Sequence, residues 1–499
     1  MGKILTKSKY LSGLQCPKLL WITFNQKDLI PQTDEATQFT FDQGHIIGEL
    51  AKKRYPKGID IQTDDFKENL NLSKELLKKR VPLFEPAYLK DNIYARADIL
   101  NPKEDNTWDI IEVKSATKVK DVNIHDVSFQ KYCYEKAGLK INKCYLMHLN
   151  SSYKREDAID PEHLFTKTDI TDEVNRAITG IKERTDEMLR IIDHKKAPET
   201  DISQNCNSPY PCPLKDICWK HIPKNSIFDL SRAGKKAFEL YNDGIISIKD
   251  IPDNTRLTDK QNIQKLCELT KTIHINRHAI NNFLNSLTYP LYFLDFETVS
   301  TAVPMFSGTR PYQQISFQYS LHISEDLKKD PKHHEYLAKG KNDPRIEFAE
   351  NLKKVLGNKG SIIVYNQSFE IARMKEIAEA FPKHKEWVNS LLPRFIDLII
   401  PFRNFQYYNP AQSGSASIKK VLPAVTGISY KDMDIGDGIT ASREFLKTNY
   451  NYPDNKKPTK EDIKKVRKDL EAYCGLDTEG MLFILRELNK ISQQLPVSE

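Results

Sequence analysis

Two acidic residues in the second half of the chain stand two positions apart at the end of an apolar run. Asp295 and Glu297 follow Tyr292-Phe293-Leu294. Side chains two residues apart in a β-strand lie on the same face, so a strand here places both carboxylates side by side. Buried carboxylates repel each other and lose hydration unless a cation lies between them. Two divalent ions about 4 Å apart hydrolyse phosphodiesters, and the motif predicts this chemistry.

Acidic residues in the first half form a second candidate site. Residues 93–100 and 108–114 are predicted to be the two strands of a hairpin, which brings Asp98 near Glu112. Lys114 lies two residues after Glu112 and shares its face. Carboxylate oxygens are ligands that Mg²⁺ and Mn²⁺ prefer. An adjacent ammonium can orient the attacking water and stabilise the charge that develops on the phosphate.

Three further residues extend this pattern. Gln130 and Tyr134 stand four apart in a predicted helix, and therefore on one face. His45 lies in a predicted helix upstream, where its ring offers a nitrogen ligand. Taken singly, these residues have ordinary structural explanations. Glu112 and Lys114 could form an exposed ion pair, and His45 could be a core histidine with its hydrogen bonds made. Taken in this order and spacing, the residues indicate an active site.

The set resembles the PD-(D/E)XK nucleases of the RecB and AddB type, and the resemblance covers residues 1–224. It implies three roles for the residues of this segment. The metal ligands would be His45, Asp98 and Glu112, the catalytic lysine Lys114, and the DNA-facing residues Gln130 and Tyr134.

Four of the eight cysteines indicate a metal site. Cys206, Cys212 and Cys218 lie within thirteen residues of a Pro-rich loop, and Cys16 lies far upstream. Thiols in such a loop favour soft-metal ligation over burial. The other four occur in apolar or mixed segments and are expected to be buried: Cys133, Cys144, Cys267 and Cys474.

The cysteine pattern resembles the iron–sulfur branch of the same nuclease family, found in AddB and in CRISPR-adaptation nucleases. The resemblance implies a [4Fe–4S] cluster held by Cys16, Cys206, Cys212 and Cys218. The family usually has two residues between the first two of the last three cysteines, whereas both gaps here contain five. A structural Zn²⁺ held by four thiolates and unliganded thiols are the alternatives.

Two later motifs accompany the Asp-x-Glu strand. Asn366, Phe369 and Glu370 follow a short apolar strand, and Tyr473 stands four residues before Asp477 in the predicted last helix. Asp-x-Glu, Asn-x-x-Phe-Asp/Glu and Tyr-x-x-x-Asp together resemble the DEDD exonucleases of ribonuclease H-like fold, Tyr subtype. The family has Asp as its third acid where this chain has Glu370. Hydrogen-bonded structural carboxylates in a degenerate domain are the alternative.

This second resemblance also implies roles. Tyr473 would hold the attacking water, and Asn366 and Phe369 would shape the nucleotide pocket. Asp397 would either approach the metals or cap a turn, with the cap preferred. The metal ligands would be Asp295, Glu297, Glu370 and Asp477.

The order of these motifs predicts an α/β multi-domain protein. A PD-(D/E)XK restriction-endonuclease-like domain (1–224) precedes a helical connector (225–288) and a ribonuclease H-like mixed-sheet domain (289–499). The last helix is predicted over Glu461–Gln494. The basic stretch 456–468 could hold phosphates, or it could be the solvated face of that helix.

Composition restricts the class of protein. The 499 residues carry 75 basic and 68 acidic side chains, a formal net charge of +7 that permits a nucleic-acid partner without requiring one. No apolar stretch approaches the ~18 residues of a membrane span, and no apolar signal core begins the chain. We therefore expect a cytoplasmic protein without a membrane partner.

Nearly the whole chain resembles a bacterial family of unknown function, number 2779. The sequence thus predicts a DNA-hydrolysing nuclease that uses Mg²⁺ or Mn²⁺ at two sites, the C-terminal one a 3′–5′ exonuclease by resemblance. DNA repair, recombination or defence would be its setting, and RNA stays open as a substrate of the C-terminal half. A protein with one active site and a decayed nucleic-acid-binding adaptor are the alternatives.

Overall fold

The computed structural model describes residues 3–453 and 457–493, which fold as two compact units. The first unit comprises Met1–Lys220 together with Thr301–Gln313, and the second comprises His221–Ser300 together with Gln314–Glu499. The three-domain division predicted from the sequence stays a prediction. Its helical connector, residues 225–288, belongs to the second unit.

The first unit contains a six-stranded mixed sheet and a three-stranded sheet. Its strands are β1 (Leu5–Thr6), β2 (Ile59–Asp60), β3 (Leu83–Phe84), β4 (Ala87–Lys90), β5 (Ile93–Arg96), β6 (Ile99–Pro102), β7 (Trp108–Lys114), β8 (Ile141–Leu149) and β9 (Phe165–Asp169). The large sheet has the order β2-β3-β6-β7-β8-β9, and the small one has the order β1-β5-β4. Within the large sheet β7 runs antiparallel to β6 and parallel to β8.

Helices surround these sheets. They are α1 (Lys7–Gln15), α2 (Pro17–Asn25), α3 (Glu35–Lys52), α4 (Phe66–Leu76), α5 (Asp121–Lys136), α6 (Pro161–Leu164), α7 (Thr171–Ala177), α8 (Ile181–Asp193) and α9 (Lys215–Cys218). The crossover from β7 to the parallel strand β8 runs through α5, as parallel pairing requires. Much of α5 is buried, and Val127, Phe129 and Cys133 join the main core of the unit.

The single strand predicted over 93–100 is wrong, because the chain changes sheets within it. β5 ends at Arg96 and pairs with β4, whereas β6 begins at Ile99 and pairs with β7. At the break, the Ala97 amide donates to the Tyr134 hydroxyl at 3.0 Å. The Asp98 Oδ2 atom accepts from the Val113 amide at 2.6 Å.

The second unit is built on a five-stranded mixed sheet. Its strands are β10 (His274–Ile275), β11 (Leu291–Val299), β12 (Ile315–Ser324), β13 (Lys332–Leu337), β14 (Ile362–Val364), β15 (Phe395–Asp397) and β16 (Tyr407–Tyr408). The large sheet has the order β13-β12-β11-β14-β15. Each of its first three strands runs antiparallel to its neighbour among them, and β14 and β15 run parallel to β11. β10 and β16 form a separate antiparallel pair.

Ten helices are found in the described part of this unit. They are α10 (Lys235–Asn242), α11 (Asp259–Thr270), α12 (Arg277–Asn285), α13 (Arg345–Val355), α14 (Ser368–Ala380), α15 (Lys385–Leu391), α16 (Ile400–Arg403), α17 (Ile418–Thr426), α18 (Gly438–Tyr450) and α19 (Lys460–Gln493). The predicted last helix thus matches α19, although Gln494 lies outside the described residues. Lys456, the first residue of the predicted basic stretch, also lies outside them.

The two faces of β11 have different surroundings. Tyr292, Leu294 and Phe296 point into an apolar core together with residues of α13 and α14. The alternate residues, Asp295 and Glu297, point to the other face, where α18 and α19 contact the strand. The sheet therefore presents two acidic side chains to the helices that close this face.

In the described part of the chain, no helix is both long enough and apolar enough to cross a bilayer.

Candidate functional site

The second unit brings together acidic residues from β11 and α19. Carboxylate oxygens of Asp295 and Glu297 and the Cys474 thiol lie within 4.8 Å of one another, the single such potential metal-ligand group in residues 3–453 and 457–493. Cys474 is fully buried, with its sulfur 3.8 Å from Asp295 Oδ2. Asp477, three residues along α19 and therefore on the neighbouring part of the helix face, is 7% exposed.

These carboxylates destabilise each other's ionised forms. Burial raises the pKa of both Asp295 and Glu297 well above the usual range, and the charge of Asp477 is the second-largest cause. Burial also raises the pKa of Asp477 to about 6, although the Tyr430 hydroxyl and Lys419 oppose this effect. Clustered acids that resist ionisation become stable as anions when a divalent cation joins them, so the site is suited to bind one or two metal ions.

Two tyrosines and a lysine adjoin the acids. The Tyr430 hydroxyl donates a hydrogen bond of 2.6 Å to Asp477 Oδ1. Burial and the nearby Asp477 charge raise the pKa of Tyr473, so it remains a phenol that can donate a proton or orient water. The Lys419 ammonium lies 5.5 Å from the Tyr473 ring centroid and 6.0 Å from that of Tyr430. Lys419 thus lies beside several carboxylates.

Glu370, predicted from the sequence to be a metal ligand, lies in the first turn of α14. The side chain is 2% exposed, and its Oε2 atom has no hydrogen-bond partner. Burial, followed by Asp397, raises the pKa of Glu370 to about 8, and Glu370 in turn raises the pKa of Asp295. An unpartnered buried carboxylate oxygen close to other acids fits a hard divalent cation.

The remaining residues predicted for this site have different surroundings. Asp397 Oδ1 accepts from the backbone amides of Asn366 (2.8 Å) and Ile399 (3.1 Å), so it caps a turn, as preferred from the sequence. Asn366 has a left-handed backbone (φ +83°), which asparagine tolerates. Phe369 is half-buried against the apolar core, and the Arg373 guanidinium lies 5.1 Å from its ring.

In the first unit Glu112 is the centre of a buried polar network. Its Oε1 atom accepts from Lys114 at 2.5 Å and from Lys7 at 2.8 Å, and its Oε2 atom accepts from Gln130 at 2.7 Å. Burial alone would raise the pKa of this carboxyl, but the two ammonium groups hold it below its usual range. Glu112 is therefore a stable anion without a metal ion.

Two members of this network were not predicted from the sequence. Lys7 lies in the first turn of α1, and Asp126 lies on α5 one turn before Gln130. Asp126 accepts from Lys114 at 2.9 Å and pairs with Lys7 at 3.4 Å. The four-residue spacing between Asp126 and Gln130 is a sequence signal that could have identified Asp126. No sequence feature near Lys7 relates that residue to β7.

Asp98 lies beside Glu112, as predicted. Ile99 is paired with Ile111, which places Asp98 opposite Glu112 at the start of the ladder. Loss of hydration and the Glu112 charge raise the pKa of Asp98 to about 7, against the influence of Lys7 and Lys114. Asp98 and Glu112 are therefore placed to share a metal ion, with Lys114 within reach of Glu112.

Two predicted roles in the first unit are wrong, and a third stays a prediction. His45 is exposed on α3, which excludes the core-histidine alternative and leaves its role as a metal ligand a prediction. Gln130 is fully buried and bonds to Glu112 rather than facing DNA. Tyr134 is also fully buried, and its hydroxyl donates to the Pro86 carbonyl at 2.5 Å.

The four cysteines predicted to bind a cluster line one small cavity. They come from the junction of α1 and α2, from the loop after α8 and from α9. Burial raises the pKa of the Cys212 thiol, and the charges of the other three raise it further. Gln15 ties α1 to this loop by donating to the carbonyls of Asn205 (2.8 Å) and Tyr210 (2.7 Å). All four are free thiols: Cys16, Cys206, Cys212 and Cys218. Cys133, Cys144, Cys267 and Cys474 are buried, as predicted.

Comparison with curated proteins finds distant relatives. The chain is 27% identical to Uncharacterized protein UU173 of Ureaplasma parvum over 44% of this chain and 34% of the relative. It is 26% identical to Uncharacterized protein MG366 of Mycoplasma genitalium over 42% of this chain and 33% of the relative. The chain therefore matches about a third of the length of these relatives.

A relative with a named activity matches less closely. Ribosomal RNA small subunit methyltransferase G of Halalkalibacterium halodurans is 24% identical over 44% of this chain and 79% of the relative. Residues 292–417, which hold Asp295, Glu297 and Glu370, match the family described as Domain of unknown function (DUF2779), so the family predicted from the sequence is confirmed for this part of the chain.

Proposed function

We propose that this protein is a metal-dependent nuclease and that the carboxylate group of the second unit is its principal active site. The observation that carries the proposal is the convergence of Asp295, Glu297 and Asp477, with Glu370 close by and Lys419 beside them. Several acids with raised pKa values form a poor ion network but a good site for two divalent ions.

Each group of residues in the site would have its own role in the reaction. Asp295, Glu297, Glu370 and Asp477 would hold Mg²⁺ or Mn²⁺, which supplies a hydroxide nucleophile and stabilises the leaving oxygen. Tyr473 keeps its proton and would orient the attacking water by hydrogen bonding. The ammonium of Lys419 would offset negative charge on the phosphate as it develops.

Strand order supports the finer folds that we propose. In the second unit, three antiparallel strands followed by two parallel ones (β13-β12-β11-β14-β15) are as expected for a ribonuclease H-like domain. In the first unit, antiparallel β3-β6-β7 followed through α5 by parallel β8 are as expected for a PD-(D/E)XK domain. The resemblance to DEDD exonucleases further suggests hydrolysis from 3′ ends.

The first unit supports a second nuclease site. Asp98 and Glu112 would bind the metal ion, and Lys114 would stabilise the phosphate charge. Lys7 and Lys114 already neutralise Glu112. A metal ion should therefore stabilise this site less than it stabilises the site in the second unit.

The cysteine cavity supports an iron–sulfur cluster rather than zinc. Tetrahedral zinc with bonds of about 2.3 Å brings its sulfurs to about 3.8 Å from one another. In the described part of the chain no three of these cysteines have sulfurs within 4.8 Å of one another, although all four line the same cavity. A spacing wider than four-thiolate zinc requires favours a cluster with several metal ions.

A degradation assay tests the proposal. End-labelled single- and double-stranded DNA and RNA are incubated with the protein and Mn²⁺ or Mg²⁺, and product lengths are read on a denaturing gel. Asp295→Asn inactivates the second unit and Lys114→Gln the first. Glu379→Gln and Lys375→Gln, two exposed positions on α14, are the matched controls.

The products identify the active unit. We expect metal-dependent shortening from the 3′ end that Asp295→Asn reduces at least about a hundredfold and the controls leave intact. Activity that survives Asp295→Asn but not Lys114→Gln would assign the reaction to the first unit alone. Methyl transfer, which the name of one relative suggests, would leave the strand length unchanged. The absence of metal-dependent cleavage would refute the proposal and favour a nucleic-acid-binding adaptor.

A further inference from the structure

A cavity of about 350 Å³ in the second unit has a cationic lining. Arg232, Lys260 and Arg403 come from three separate segments and meet at this cavity, beside the loop Ser413-Gly414-Ser415. Hydroxyl groups and cationic side chains around a cavity of this size are the donors that phosphate groups require.

The three cations are not paired with acids. In the described part of the chain, none of Arg232, Lys260 and Arg403 forms an ion pair with a carboxylate. Lys260 donates instead to the Arg403 carbonyl at 2.7 Å. Asp229 also lines the cavity, but its Oδ2 atom already accepts from the amide (3.0 Å) and hydroxyl (3.3 Å) of Ser226. The positive charge of the cavity is therefore available to an anionic ligand.

The loop that forms one wall is held in a single conformation. Gly414 has a left-handed backbone (φ +73°), and a Cβ atom at this position would lie 2.0 Å from the Asp229 carbonyl oxygen. Only glycine allows this close approach, so the wall is a packed part of the fold rather than an open surface loop.

Two hydrogen bonds connect the cavity with the carboxylate site. Arg403 donates to Asn366 Oδ1 at 3.4 Å, directly after β14. The carbonyl of Ala416, which follows the loop, accepts from the Tyr365 hydroxyl at 2.7 Å. Three residues further on, Lys419 reaches the Tyr473 ring. The cavity is thus hydrogen-bonded to the segment that leads into α14, where Glu370 lies, and its own loop leads into α17, where Lys419 lies.

We propose that this cavity binds a backbone phosphate of a nucleic-acid strand whose cleavage site lies at the carboxylates. The cations and hydroxyls of the cavity recognise a phosphodiester as such. That this phosphodiester belongs to the strand being cleaved rests on the proposed function. The cavity adds a binding subsite, away from the reacting atoms, that fixes the register of the strand. Phosphate contacts of this kind position a strand without reading its sequence.

Binding without catalysis tests the subsite. The anisotropy of 5′-fluorescein-labelled single strands of DNA and RNA, each about 20 nucleotides long, is measured with the full chain in EDTA at several salt concentrations. The variants are Arg403→Gln and the pair Arg232→Gln with Lys260→Gln. Lys375→Gln is the charge-matched control, and circular dichroism verifies that each variant is folded.

We expect each subsite variant to bind more weakly, and the slope of log K against log salt to become shallower by about 0.7 for each phosphate that the variant no longer neutralises. The control should keep the wild-type slope. Wild-type slopes in both subsite variants would overturn the inference, even if the protein cleaves DNA. Shallower slopes in a protein that cleaves neither polymer would support the subsite while the proposed nuclease function fails.

Discussion

Glu370 offers the sharpest test of the carboxylate site. This residue departs from the aspartate of the resembled family and has an unpartnered oxygen in a buried position. If its role is to bind a metal ion, its charge must destabilise the metal-free protein. The substitution Glu370→Gln removes the charge with almost no change of shape, so its effect on stability should depend on pH and on metal.

The expected magnitude follows from the pKa of Glu370, which burial raises from 4.5 to about 8. Between these values the unfolded chain has released the proton that the folded protein still binds, so stability falls as pH rises. Each pKa unit corresponds to about 1.36 kcal/mol, which gives an upper limit of about 5 kcal/mol between pH 4.5 and pH 8. Because local relaxation and water penetration reduce such penalties, we expect about 2–3 kcal/mol.

The assay is thermal unfolding in EDTA at about pH 5 and about pH 8, on either side of the change in protonation. Glu370→Gln should raise the melting temperature by roughly 5 °C at the higher pH and change it little at the lower one. Saturating Mn²⁺ should stabilise the wild type more than the variant at the higher pH, because only the carboxylate gains a cation. Glu379→Gln, on the exposed side of the same helix, is the control and should follow the wild type under all conditions.

A parallel pH dependence of Glu370→Gln and wild type would refute this reasoning. It would mean that Glu370 ionises in the folded protein as easily as in the unfolded chain. An equal stabilisation of both proteins by Mn²⁺ would show, separately, that the metal ion binds without Glu370.

Three further predictions concern the other groups. In a protein that already carries Tyr473→Phe, adding Lys114→Gln should lower the remaining cleavage of double-stranded DNA with Mn²⁺ at least about a hundredfold. Equal cleavage by the single and the double variant would show that Lys114 has no catalytic role. Cys206→Ser should abolish the visible absorption and iron content of the purified protein, whereas a colourless wild type that contains zinc would exclude the iron–sulfur cluster. Tyr430→Phe removes a bond that lowers the pKa of Asp477, so the acidic limb of the activity profile should move above about pH 6; an unchanged limb would contradict this.

Local periodicity was sufficient to relate residues within β11 and within α19, whereas the resemblance to DEDD exonucleases was needed to bring the acids of different segments into one site. Alternation along β11 places Asp295 and Glu297 together, and the four-residue spacing on α19 relates Tyr473 to Asp477. Lys419 and Tyr430 could not be assigned in this way. They belong to other segments, and only the packing of α17 and its following loop against α19 brings them to the acids.

In the first unit, spacing indicated which residues share a helix face but not where that face points. Gln130 and Tyr134 do lie on one side of α5, but almost every side of this helix is buried. A weak amphipathic pattern accompanies this burial, so no exposed face was available to bind DNA. The break between β5 and β6 was missed for a related reason: Ile93–Leu100 alternates like one strand, and only the pairing with different strands, β4 and β7, reveals the change of sheet.

The two acidic sites differ in how the negative charge of their buried carboxylates is compensated. In the first unit Lys7 and Lys114 neutralise Glu112 and Asp126, so the charges balance before any metal ion arrives. A divalent cation there must displace an ammonium group from Glu112, which weakens its binding. In the second unit Lys419 offsets only part of the charge of Glu297 and Asp477, and metal binding relieves the remaining repulsion. Titration with Mn²⁺ should therefore saturate the second unit first, and cleavage that depends on Asp295 should appear at lower metal concentration than cleavage that depends on Lys114.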